Sequence, residues 1–206
     1  MKTSDAYASL IRVGTPVLGI REASERLGLS SKRTTLHLRS LERAGLVRRI
    51  QPGVWALGTR IDPLVLPIYV ADPFPAYVSV WSALRFHGMI EQIPRGTWAV
   101  TTGRTRHVQT ALGLVELCHI TPDLFGGFGG TLEQGFVATP EKALFDLVYL
   151  RAPAGGGTRL PELELPAAFD HDELQTWIER INSPRLRTLV HRGIERAIST
   201  AARSDG

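Results

Sequence analysis

The chain has 206 residues, a single cysteine (Cys118), 43% hydrophobic and 21% charged residues, and a formal net charge of +4. This balance supports one domain or two small ones with a real apolar core, and one cysteine excludes both an internal disulfide and a multi-cysteine zinc site. No run of about 18 apolar residues and no long apolar N-terminal stretch occurs, so neither a membrane span nor a secretory leader is expected, and a cytoplasmic location is.

The charge is unevenly placed. Residues 1–61 hold 11 Lys/Arg against 4 Asp/Glu, a balance of +7, which leaves 13 against 16, or −3, for residues 62–206. A basic segment joined to a slightly acidic one suits phosphate-backbone binding by the first.

In chain order, a first helix is predicted over about Ser4 to Val13, where Tyr7, Leu10 and Ile11 recur at helical spacing. A second runs from about Gly19 to Leu27, with Ile20, Ala23 and Leu27 on one face and Gly28 as its left-handed stop. Ser30 and Ser31 offer hydroxyls to cap a third helix, Ser31 to Ala44. On it Thr34, Leu38 and Leu41 fall at i, i+4 and i+7 and should pack inward. The opposite side collects Lys32, Leu36, Arg39 and Arg43, flanked by Arg33 and Thr35. Two strands follow, Leu46–Ile50 and Val54–Leu57, turned by Gln51-Pro52-Gly53, with Trp55 packed on the third helix. Arg48 and Arg49 alternate across the first strand, so one of them should reach solvent and a phosphate.

Three helices and a hairpin in this order predict a winged helix-turn-helix whose third helix enters a DNA major groove. Ser31, Lys32, Arg33, Thr35, Leu36, Arg39, Arg43, Arg48 and Arg49 are its candidate DNA contacts. The cations can reach guanine edges or phosphate, Thr35 either, and an outward Leu36 a thymine methyl. The competing reading is a protein-interaction module with a solvated basic face.

Asp62-Pro63 and Leu66-Pro67 predict an extended connector over Thr59–Pro67. Beyond it come a helix (Val78–His87), strands (Thr97–Thr102, Leu114–Ile120, Phe136–Ala138), a helix opened by Thr139-Pro140-Glu141-Lys142 and running to Arg151, a flexible Pro153–Thr158 loop, and two closing helices (Asp172–Ile181, Pro184–Ala202). The expected fold is α+β. An N-terminal winged helix-turn-helix (1–61) precedes a second domain (62–206), mixed α/β to about 152 and helical over about 159–203.

Between the strands, Thr101–His107 reads as a polar, basic loop, and Arg104, Arg106 and His107 are candidate contacts to DNA or an acidic partner. Arg180, Arg185, Arg187, Arg192 and Arg196 stud the final helices as a solvated face or a partner surface. No catalytic set, cofactor or metal site is expected. Cys118 and His119 are adjacent on a strand and point to opposite faces. His87 sits at a helix end, and Gly126–Gly130 lacks a phosphate-loop pattern and reads as a turn between strands.

Three segments, Tyr77–Pro94, Ile120–Phe128 and Val137–Asp146, resemble in order and spacing the C-terminal domain of the AbiEi antitoxins. With the winged helix in front, the resemblance covers nearly the whole chain, and the Ala/Arg/Gly-rich composition suits an actinobacterial or mycobacterial member. It implies a type IV antitoxin that binds inverted repeats in its own promoter, with two copies dimerising on the DNA. It also implies a partner toxin of nucleotidyltransferase fold, the AbiEii type, counteracted through the C-terminal domain; residues 62–206 alone should then lose repression and keep some antitoxic effect. The alternatives are a stand-alone winged-helix repressor with an effector- or partner-binding second domain, and a nucleic-acid-processing enzyme whose activity would depend on Glu116.

Overall fold

A computed structural model of the protein describes residues 3–12, 14–58, 60–152 and 162–204. Val13, Thr59 and the Pro153–Thr158 loop of the sequence reading lie outside the described residues.

The N-terminal unit runs α1 (Thr3–Ile11), β1 (Val17–Gly19), α2 (Ile20–Leu27), α3 (Ser31–Arg43), β2 (Val47–Gln51) and β3 (Val54–Leu57). Its antiparallel sheet has the order β1-β3-β2. β1 is an addition to the predicted elements; three residues carry too little periodicity to be read. α2 stops at Gly28, which takes φ +62° and turns its N–H back onto the Glu25 carbonyl, as only a residue without Cβ does cheaply.

This small sheet sends apolar side chains into a core on each face, and its alternation decides where each one goes. Leu18, Val47 and Trp55 join Leu10, Ala23, Leu38 and Leu41 in a core under the helices. Val17, Ile50, Val54 and Ala56 point the other way, into a cluster shared with Val65, Leu66, Val70, Ala71, Ala99, Val115 and Leu117 of the second unit.

The stretch expected to be an extended connector is folded: a 3-10 turn at Pro63–Val65 leads directly into α4 (Leu66–Ala71). The prolines that suggested extension sit in the first turns, where no N–H is required of them, and Asp62 caps the 3-10 turn by accepting from the Leu64 N–H at 2.9 Å. The remaining elements are β4 (Ala76–Val78), α5 (Val80–Phe86), β5 (Thr97–Thr101), β6 (Arg106–Thr110), β7 (Gly113–His119), a 3-10 turn (Pro122–Leu124), β8 (Phe128–Thr131), β9 (Gly135–Ala138), α6 (Pro140–Arg151), α7 (His171–Glu179) and α8 (Pro184–Ser204). They form a mixed six-stranded sheet of order β6-β7-β5-β4-β9-β8, in which β4–β9 and β5–β7 are parallel.

One face of this sheet carries α5 to α8, through Tyr77, Val100, Leu144, Trp177, Val190 and Ile194. The other face carries α4 and the N-terminal unit. Val78 therefore ends a strand instead of starting a helix, and the chain breaks at Val80, a β-branched residue held at φ 53°. Such a backbone costs about 1–3 kcal/mol and persists only where its surroundings hold it. The Gly-rich turn is also partly strand: Gly129 and Gly130 belong to β8 and pair with β9.

Candidate nucleic-acid interface

α3 presents the two faces that its periodicity predicts. Thr34, Leu38 and Leu41 are fully buried. Ser31, Lys32, Arg33, Leu36, Arg39 and Arg43 are exposed, Leu36 at 59% of its surface. A leucine in the middle of a charged face gains nothing from water. Among the described residues, none of the four cations Lys32, Arg33, Arg39 and Arg43 has a carboxylate within ion-pair reach. Thr35 is half-buried; its hydroxyl donates to the Ser31 carbonyl at 2.7 Å and keeps its acceptor lone pairs outward. Ser30 stands at the N-cap in extended backbone but makes no side-chain cap bond, so the expected hydroxyl cap is absent and the first-turn N–H groups of α3 are not consumed by it.

The two strand arginines part company. Arg49 pairs across the sheet with Trp55, so both lie on the α3 side. Its guanidinium stacks 5.9 Å from the indole centroid with the charge still exposed. Arg48 pairs with Ala56 and faces the second unit, where its Nη2 donates to the Ala111 carbonyl at 2.7 Å. The Ala111 N–H in turn donates to the Ile50 carbonyl at 3.1 Å. Arg48 is exposed, but its guanidinium is engaged on the β6–β7 turn and ties β2 to it.

The Thr101–His107 segment is also corrected. It is not one loop, since Arg106 and His107 open strand β6. Arg106 donates to the Val70 carbonyl of α4, and His107 Nδ1 meets the Glu116 carboxylate on β7. Of the three candidates there, Arg104 alone carries no ion pair or hydrogen bond among the described residues. His87 bonds through Nε2 to the Ala138 carbonyl of β9 at 2.7 Å, not to its own helix. Of the final arginines, Arg180 stacks 4.3 Å from the Trp177 centroid, and Arg187 donates to the Ile181 carbonyl at 2.7 Å.

A buried polar cluster escaped the sequence reading. Lys142 and Asp146, one turn apart on α6, form an ion pair with neither side chain exposed to solvent. Asp146 also accepts from Ser79 Oγ at 2.7 Å and from the Tyr77 hydroxyl at 3.0 Å. The Lys142 ammonium lies 4.7 Å from the Trp177 ring, 4.9 Å from Phe145 and 5.6 Å from Tyr77. Burial pushes the lysine down and the carboxylate up, each opposed by the other's charge; burial, and then Asp146, pushes the Tyr77 phenol up. Gly127 admits the cluster, since a Cβ there would fall 2.7 Å from the Trp177 ring. The cluster links β4, α6 and α7 without meeting solvent. Its signal was legible: two opposite charges at i, i+4 on a helix whose other charges, Glu141 and Arg151, lie at its two ends.

Among the described residues no group of three or more His, Cys, Asp or Glu is placed to hold a metal ion, and no helix is long and apolar enough to cross a membrane. Compared with protein-family models the chain gives no match, and compared with curated protein sequences it gives none either.

Proposed function

We propose that the N-terminal unit is a winged helix-turn-helix and that the protein binds double-stranded DNA through α3, repressing transcription. The observation that carries this reading is the outer face of α3: four cations without carboxylate partners among the described residues, around an exposed leucine, on a helix pinned by a buried Thr34–Leu38–Leu41 stripe. Cations of this kind neutralise phosphates and read guanine edges, and Leu36 supplies an apolar contact for a thymine methyl. The helix order and the β1-β3-β2 sheet support the docking mode in which α3 lies in the major groove and the β2–β3 turn, with Arg49, lies beside it.

With the AbiEi-like segments, the reading extends to an autorepressing antitoxin that binds inverted repeats in its own promoter and counteracts a nucleotidyltransferase-like toxin. The resemblance of the motifs alone supports that step, and a toxin gene next to this one tests it. A stand-alone repressor with an effector-binding second unit is the other reading, favoured by a cleft beside Arg104 described below.

The test is a gel shift on the upstream DNA across a salt series. Lys32→Ala and Arg39→Ala should each weaken binding and flatten the dependence of log K on log salt by about one unit per lost phosphate contact. Unchanged affinity and slope in both variants would remove α3 as the DNA-binding element.

A further inference from the structure

The α4–β4 connection and the β5–β6 turn enclose a cleft of about 500 Å³, continuous through Phe74, Gly103, Arg104 and Thr105 with a shallower one of about 360 Å³ that reaches His119. It lies where the parallel strands β5 and β7 both end, at Thr101 and His119. The carboxyl ends of parallel strands are where α/β sheets leave crevices for ligands, and the volume is that of a small-molecule site.

The walls are chemically selective. Phe74 is 49% exposed although it lines the cleft. Its ring backs onto Gly103, where a Cβ would fall 2.8 Å from the ring; glycine is what lets the ring rest against the chain and keep its other side open. Arg106 is oriented by its bond to the Val70 carbonyl, and Arg104 is unpaired among the described residues. Asp72 lines the same cleft and forms no ion pair with either arginine. Two guanidinium groups and one carboxylate leave a single uncompensated positive charge. A monoanion balances it, and a ligand N–H or O–H satisfies Asp72.

We propose that this cleft binds a small aromatic carboxylate bearing a hydrogen-bond donor, with its ring on Phe74, its carboxylate on Arg104 and Arg106, and its donor on Asp72. The site goes beyond the DNA reading and stands whether or not α3 meets DNA; it names the ligand site that the effector-binding reading requires.

The experiment is a direct titration of the full chain, without DNA, by amide-resolved NMR. The probe is 4-aminobenzoate, with aniline (no anion), acetate (no ring) and adenosine monophosphate (a dianion) as comparators. Saturable binding of 4-aminobenzoate is expected, with shifts centred on residues 72–74, 103–106 and 119. Aniline and acetate should bind at least about tenfold more weakly, and Phe74→Ala and Arg104→Ala should each weaken the probe by at least about tenfold. Both side chains are exposed, so the fold survives their removal; unchanged amide dispersion elsewhere verifies it. No saturable binding, shifts centred elsewhere, equal affinity in both variants, or tighter binding of the monophosphate would each overturn the proposal, and none of these outcomes bears on the promoter gel shift.

Discussion

Single residues carry the sharpest consequences. Lys142 and Asp146 have no exposed surface, so removing one charge strands the other in the core. Lys142→Met should cost about 3–5 kcal/mol in urea unfolding at neutral pH. In that variant burial alone holds Asp146 above the ordinary carboxylate range. The folded state then binds the proton more tightly than the unfolded chain, so stability is greatest at low pH and falls as pH rises through the raised value. A flat profile from pH 4 to 8 would show that the carboxylate is solvated after all. Cys118 offers a second pH test. Burial, with the Glu116 and Asp146 charges behind it, raises the thiol from 9.0 to about 11. Its contribution to stability is intact below pH 9 and lost as pH climbs towards 11, because the unfolded thiol ionises first. The rate of reaction with a disulfide reagent should therefore reach half its plateau near pH 11, not near pH 9, in the folded protein.

At the scale of elements, the two faces of the β1-β3-β2 sheet separate Arg48 from Arg49. Arg48→Ala removes the bond to the Ala111 carbonyl and should lower thermal stability while leaving the salt slope of the proposed DNA binding unchanged. Arg49→Ala, with its charge in solvent beside α3, should flatten that slope and leave the melting temperature nearly unaltered. The reverse pattern would mean that the sheet faces are assigned the wrong way round. The helices of this unit were legible because amphipathic stripes repeat: Thr34, Leu38 and Leu41 went inward as the 3.6-residue period requires. β1 and the destination of Arg48 were not, since a three-residue strand has no pattern and alternation says which side a residue faces, not what lies there.

For the whole molecule, the boundary at 61/62 separates sheets without separating cores. Val17, Ile50, Val54 and Ala56 share one apolar cluster with Val65, Leu66, Val70, Val115 and Leu117. Calorimetry of the full chain should show one cooperative transition, and Leu66→Ala, at a fully buried site, should cost about 2–5 kcal/mol and lower both units together. Two resolved transitions would mean that the interface adds little. A fragment of residues 62–206 would lose Val17, Ile50, Val54 and Ala56 and expose the apolar residues they cover, so point variants in the full chain test the proposed roles more cleanly than truncation does.

The sequence by itself determined the local periods: three basic-segment helices, the β2–β3 turn at Pro52-Gly53, the capped start of α6 at Thr139, and the outward cations of α3. Each depends on residues within a few positions of one another, where sterics and burial periodicity act directly. Only the tertiary structure decided which partners meet across the chain. The Lys142–Asp146–Ser79–Tyr77 cluster, the Arg48 tie to Ala111 and the cleft around Phe74 join segments up to 69 positions apart. Local pattern reports that a face is apolar or charged, whereas the neighbour that covers it is set by how sheets and helices pack around a shared core.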